Sequence, residues 1–267
     1  MSAFDQATAV QQTGPGRYSA TVDPAWSVRK GANGGYAAGL LLRALMAEVG
    51  DPARTPRSLT VHYPAAVEAG PADIAVQVER SGRSMTTATA RIEQQGSPAA
   101  LAMAAFSTDR HESVDFVDMA MPKVPPVDGL QPLVLPEMAP PFAANLQVWL
   151  ADGAAPFTGA EHAYAALWLS LRQPRSLDYP LLAALTDFWM PVLFATRTAP
   201  VMSPTIDLTV HFRSPITAAA AAGPWLGVFR TRLARGGFME EDGEVWSADG
   251  TLLAQSRQLA LAVPAAW

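Results

Sequence analysis

Few side chains in this sequence are equipped for chemistry. With no cysteine in 267 residues, thiolate nucleophiles, disulfides and Cys-based metal sites are excluded. The four histidines, His62, His111, His162 and His211, show no metal-ligand spacing. Among the remaining polar residues, Asp187, Thr205 and Gln258 each have a plain structural reading. Asp187 precedes a Phe-Trp-Met-Pro stretch and, taken alone, reads as a helix N-cap. Thr205 opens a run with good strand propensity. Gln258 lies among Leu, Ala and Ser, where an inward-facing amide would need a reason and an outward-facing one would not. In general a carboxylate can polarise a water molecule, and hydroxyl or amide side chains can fix its position.

The elements that would position them come in duplicate. Leu59-Thr60-Val61-His62-Tyr63 returns as Leu208-Thr209-Val210-His211-Phe212, an offset of 208 − 59 = 149 residues. Each copy has an Ala- and Leu-rich segment upstream and three alternating apolar stretches downstream. Such self-similarity marks a duplicated unit. Units of about 110–130 residues suit the length. We expect a first unit over 1–112, a linker over 113–141 and a second unit over 142–267. The linker contains seven prolines between Pro122 and Pro141 and reads as extended and semi-rigid.

In the first unit the pattern predicts a strand over 17–22 and a buried helix over 36–48, with Asn33 as N-cap. Strands are predicted over 58–66, 72–79, 84–94 and 99–108. The second unit repeats the plan, with strands over 142–150 and 163–171 and a helix within 177–198. Strands over 205–212, 225–233, 238–246 and 251–263 complete it. A helix followed by an antiparallel meander, twice, is an α+β pattern: a curved sheet wraps a central helix, and two units pair edge to edge.

Composition narrows the class. Apolar residues make up 49% and charged residues 16%, enough for a large core. A net charge of −5 argues against nucleic-acid binding. No targeting segment or membrane span is legible, so a cytoplasmic protein is expected.

Several motifs resemble the acyl-CoA thioesterase II (TesB-type) double-hotdog thioesterases. Asn33-Gly34-Gly35-Tyr36-Ala37-Ala38-Gly39 is similar to the Gly-Gly-x-x-x-Gly start of that family's first hotdog helix, with Tyr36 where many relatives carry Gln. His62-Tyr63 through Gly70 resembles a family strand ending in a Pro-Gly turn. Arg80-Ser81-Gly82-Arg83-Ser84 resembles its Arg-x-Gly-x-Ser turn. Met202 to Phe212 resembles the strand with a Thr-Ile-Asp core, and Asp249 to Gln258 the Asp-Gly-x-Leu-x-Ala-x-x-x-Gln ending.

The resemblance implies a double hotdog fold and hydrolysis of an acyl-CoA thioester. Asp187, Thr205 and Gln258 fall where the family has its catalytic Asp, Thr and Gln. It implies no metal or redox cofactor, and a homodimer of double-hotdog chains. Asn33, Gly34, Gly35 and Tyr36 would contact substrate at the first helix start, the glycines offering close backbone approach for an oxyanion. Trp189 and Met190 could line an acyl tunnel. Arg80, Arg83, Arg213 and Arg235 could meet coenzyme A phosphates, and of these Arg83 is the choice. Gln258 and Ala104 both follow their turn glycine by eight residues, so the first unit lacks the amide and one site per chain is expected. The symmetric His62 and His211 read as structural. A hotdog enoyl-CoA hydratase, or a non-catalytic acyl-ligand binding protein, would be the alternatives.

Overall fold

The two copies of the repeated phrase lie side by side at the middle of the molecule. In the computed structural model, which describes residues 1–110, 114–134 and 139–264, Leu59 pairs with Val210, Thr60 with Thr209 and Val61 with Leu208 in antiparallel register. The Thr60 and Thr209 hydroxyls are 3.1 Å apart. These residues differ in number by the repeat offset itself, so a local two-fold axis passes between them.

The chain begins with a short helix, α1 (Ala3–Ala7), and two strands, β1 (Gln11–Gly14) and β2 (Arg17–Val22). The long helix α2 (Gly34–Val49) follows, then β3 (Thr55–His62), β4 (Gly70–Ser81), β5 (Met85–Gln94) and β6 (Ser97–Ser107). After the proline-rich segment come β7 (Leu146–Gly153), β8 (Tyr164–Leu171) and the helix α3 (Tyr179–Leu185). The strands β9 (Val201–Met202), β10 (Thr205–Phe212), β11 (Trp225–Arg230), β12 (Ala234–Arg235), β13 (Phe238–Trp246), β14 (Leu252–Leu261) and β15 (Val263–Pro264) complete the described chain. One antiparallel sheet runs β1-β2-β4-β5-β6-β3-β10-β14-β13-β11-β8-β7, with β12 beside β13. Its halves mirror each other strand for strand about the β3–β10 junction, the α+β double hotdog arrangement. The likeness extends to defects: pairing slips between Pro56 and Ser58 and again between Thr205 and Asp207, positions 149 apart.

Helix α2 is apolar nearly all round, as a helix enclosed by a sheet must be, and Leu40, Leu41, Leu42 and Leu45 are fully buried. Asn33 caps it by accepting the Tyr36 N–H at 2.9 Å. Gly50, with φ of 65°, ends it by returning its N–H to the Met46 carbonyl. Glycine serves α2 in a second way. A Cβ on Gly39 would stand 2.8 Å from the Pro180 carbonyl oxygen of α3, so the two helices touch backbone to backbone there.

The second half departs from expectation at its first strand, where Pro141–Asn145 form a 3-10 helix and β7 begins only at Leu146, and at its helix. The helix sought within 177–198 covers only Tyr179–Leu185, with a 3-10 turn at Val192–Thr196. Pro191 cannot continue a helix, and Asp187 is drawn away to the start of α2, as described below. The proline-rich segment is also more than a spacer. Met121, Val124, Val127 and Leu130 pack on Trp168, Leu226, Val228 and Trp246, forming a small apolar layer on the outer face of the second half. The Trp168 indole N–H donates to the Pro125 carbonyl at 2.9 Å. Among the described residues, no helix is long and apolar enough to cross a membrane.

The close helix contact gives a stability test. Gly39→Ala gains helix propensity but forces α2 and α3 apart, and overpacking dominates. We expect a loss of about 1–2 kcal/mol, read from the urea midpoint.

Candidate functional site

Asp187 leaves the end of α3 and turns its side chain onto the start of α2. Its Oδ2 accepts the Gly35 N–H at 2.8 Å and an Asn33 Nδ2 hydrogen at 3.2 Å. Asn33 Nδ2 also donates to the Asp187 backbone carbonyl at 2.9 Å. Asp187 is not the N-cap its sequence setting suggests: it follows the end of α3, and its carboxylate serves the start of the other half's helix, whose N-cap is Asn33. A negative carboxylate is well placed there, since the first N–H groups of a helix lack internal partners and carry its positive pole. Gly35 is required for this approach, because a Cβ on it would lie 2.5 Å from the Ala184 carbonyl oxygen and 2.9 Å from Asp187 Cβ.

Strands β10, β14 and β13 supply the rest. Leu208, Gln258 and Glu241 are aligned in register across them. The slip after Thr205 brings its hydroxyl back to Gln258, where Thr205 Oγ1 donates to Gln258 Oε1 at 3.0 Å. The Gln258 Nε2 donates to Glu241 Oε1 at 3.1 Å, and the same amide interacts with the Asp187 carboxylate. Glu241 Oε2 accepts the Val192 N–H at 2.7 Å. The three candidates Asp187, Thr205 and Gln258 therefore belong to one network, although 53 residues separate the last two.

Sequence reading missed two members. Glu241 is one. The other is Tyr63, whose hydroxyl donates to the Gly34 carbonyl at 2.7 Å and whose burial beside Asp187 raises its pKa well above the ordinary phenol value. The repeat carried a signal for Tyr63, since the second copy has Phe212 in its place.

Burial sets the electrostatics. Asp187, Gln258 and Glu241 are 9%, 5% and 4% exposed, while Gly34, Tyr63 and Thr205 beside them are half-buried. Desolvation pushes Asp187 up to about 6, restrained by the bonds from Gly35, Gln258 and Asn33. It pushes Glu241 up to about 8, with the Asp187 charge adding to the rise. Two carboxyls joined by one amide hold their last protons at well-separated pH values.

The remaining candidates lie elsewhere. Tyr36 is fully buried, stacked on Trp26, and its hydroxyl donates to the Ala7 carbonyl at 2.7 Å while accepting the Asp23 N–H. It props the fold and does not face the carboxylates. Arg83 is exposed in the β4–β5 turn, its carbonyl held by Arg54. Trp189 and Met190 do line an apolar slot, with Phe142, Ala143, Leu146 and Phe188, but at ≈ 10 Å³ it has room for about one water. His62 and His211 are exposed on the strands rather than packed inside. His111 falls outside the described residues. Among the described residues no cluster of His, Asp and Glu suits a metal ion.

Because burial raises the Asp187 pKa, protonation favours the folded state. The stability it lends is complete below about pH 4 and is lost as the pH rises through about 6. Asp187→Asn, which keeps an acceptor for Gly35, should accordingly stabilise the fold at pH 7.5 by roughly 2–3 kcal/mol relative to wild type. The difference should vanish near pH 4, as followed by denaturant titration at each pH.

Comparison with known proteins bears on the fold and the family. Residues 117–262 match the model of the acyl-CoA thioesterase C-terminal domain, and residues 22–107 that of the N-terminal domain. A hot dog fold protein of unknown function from Alicyclobacillus acidocaldarius is 30% identical, with a TM-score of 0.91 over 100% of both chains. A protein provisionally assigned as a thioesterase II, from Thermobifida fusca YX, is 27% identical with a TM-score of 0.84 over 98% of both chains. The acyl-CoA thioesterase II TesB2 from Mycobacterium marinum, at 22% identity, shares the fold with a TM-score of 0.80 over 99% of this chain and 100% of its own. No curated protein matches. The chain belongs to the acyl-CoA thioesterase family, with both of that family's domains present in order.

Proposed function

We propose that this protein hydrolyses an acyl-CoA thioester to a carboxylic acid and free coenzyme A, with Asp187 as general base. The observation that carries the proposal is a buried carboxylate whose pKa lies near 6, bonded to a helix N-terminus and linked to an amide–hydroxyl pair. Such a group is mostly ionised at neutral pH yet basic enough to take a proton from water.

A water beside Asp187 would be held by Thr205 and Gln258. As its oxygen attacks the acyl carbon, Asp187 takes the proton and the carbonyl becomes an oxyanion. The Gly35 N–H is already committed to Asp187 and the Tyr36 N–H to Asn33. The donor suited to the oxyanion is therefore the Gly34 N–H, at the first position of α2 and at the accessible edge. Collapse of the intermediate breaks the C–S bond, and the departing thiolate recovers the proton from Asp187. These steps call on side-chain and backbone groups alone.

In this reading the acyl tail would lie against Trp189 and Met190, which follow the reactive carboxylate in sequence, and the slot they line, at ≈ 10 Å³, would have to widen to admit it. Cytoplasmic operation and pairing of two chains are part of the same reading. A hydratase would want a histidine beside the acid, and the exposure of His62 and His211 disfavours it.

Thiol release measured over short, medium, long and aromatic acyl-CoAs tests the reading. Asp187→Ala should lose at least ~100-fold in turnover, and wild-type activity should fall below about pH 6. Near-full activity in that variant would remove Asp187 from the chemistry. Consumption of crotonyl-CoA without thiol release would indicate a hydratase, and tight acyl-CoA binding without turnover a carrier. Trp189→Ala should move the preference toward longer chains by enlarging the slot.

A further inference from the structure

The duplication provides an internal control for which residues act together. The first half repeats the backbone around the site, strand by strand, so each polar group has a counterpart position. Thr205 corresponds to Pro56, both preceding the same pairing slip. Gln258, opposite Leu208, corresponds to Ala104, opposite Leu59. Glu241, opposite Gln258, corresponds to Ala88, opposite Ala104. The hydroxyl, the amide and the second carboxyl are present as a set in one half and replaced as a set in the other. A carboxyl needed only for packing or solubility would have no cause to follow the other two.

We infer that Glu241 is a positioning residue, whose carboxyl holds the Gln258 amide in one of its two possible orientations and ties the Trp189–Val192 turn to it. An amide side chain offers an oxygen and an NH₂ of nearly the same shape, so its neighbours decide which end points where. Glu241 Oε1 takes one Nε2 hydrogen. That leaves the other for Asp187 and the amide oxygen for the Thr205 hydroxyl. Through Oε2 the same carboxyl holds the Val192 N–H, the backbone that follows Trp189, Met190 and Pro191. Glu241 thus acts on the reaction through Gln258 and on the slot through the turn, without touching substrate. Burial supports the assignment, since a carboxyl this enclosed is retained only when its oxygens are satisfied. The charged groups that act on it are Asp187 and its neighbour Glu240, both of which raise its pKa.

This inference rests on the thioesterase reading, and the test separates the two. With the best acyl-CoA from the panel, Glu241→Leu and Glu241→Gln should lower kcat by about 10–100-fold with KM changed by less than ~3-fold. In a Gln258→Leu background the same substitutions should lower kcat by less than ~3-fold further, because a residue acting through Gln258 has nothing left to orient. Multiplicative losses in the double variants, or near wild-type kcat in both single variants, would overturn the proposal. If Glu241→Leu fails to fold, the shape-conserving Glu241→Gln carries the cycle. A second readout needs no activity. The Gln258 side-chain NH₂ signals, identified by their loss in Gln258→Leu, should shift near pH 8 in the wild type and lose that movement in Glu241→Gln. Signals indifferent to Glu241 would refute the positioning role, whereas absence of thiol release from the wild type would instead sink the thioesterase reading.

Discussion

A carboxylate from one half of the chain seated on the first turn of the other half's helix governs the rest of the structure. Asp187 can be buried because the Gly35 N–H, which lacks an intrahelical partner at the helix start, and the Asn33 side-chain amide both meet it. The seat demands glycine at 35, a sharp exit from α3 and close packing of α2 on α3 near Gly39. It also explains the short second helix. Continuing α3 past Leu185 would carry Asp187 away from α2 and leave the Asn33 amide without its partner.

The same contact binds the halves into one functional unit. Neither contains the whole network: Asn33, Gly34, Gly35 and Tyr63 come from the first, and Asp187, Thr205, Gln258 and Glu241 from the second. The continuous pairing of β3 with β10 fixes their relative placement, with Thr60 and Thr209 at the centre. Symmetry in the backbone and asymmetry in the polar groups coexist because the sheet needs only alternation and register, whereas the chemistry needs particular side chains at a few positions.

Much of this was legible in the residues. The span of β10, Thr205–Phe212, follows from its alternation, and the repeat offset locates the axis. Helix α2 was recognisable from its apolar run and its Asn33 cap. The length of α3 was not, because its end depends on a partner more than 150 residues away. Tyr36 was misread as a substrate contact because its site beside the Gly-Gly start hides its direction, which is into the aromatic core. Glu241 was overlooked within Phe238–Trp246, where four acidic residues suggest a solvated strand. Its phase was informative: it shares a face with Met239 and Val245, both buried, so strict alternation points it inward.

The proline-rich connector lies against Trp168, Leu226, Val228 and Trp246 and shields them from water. Joining two subunits into one polypeptide ordinarily leaves the tether free to vary in length and composition. Here the tether is also wallpaper for one side of the sheet. Trimming it to the shortest path between β6 and β7 would strip a greasy surface bare even with both halves of the sheet intact, so the fusion joint also serves as a cover for the molecule's surface.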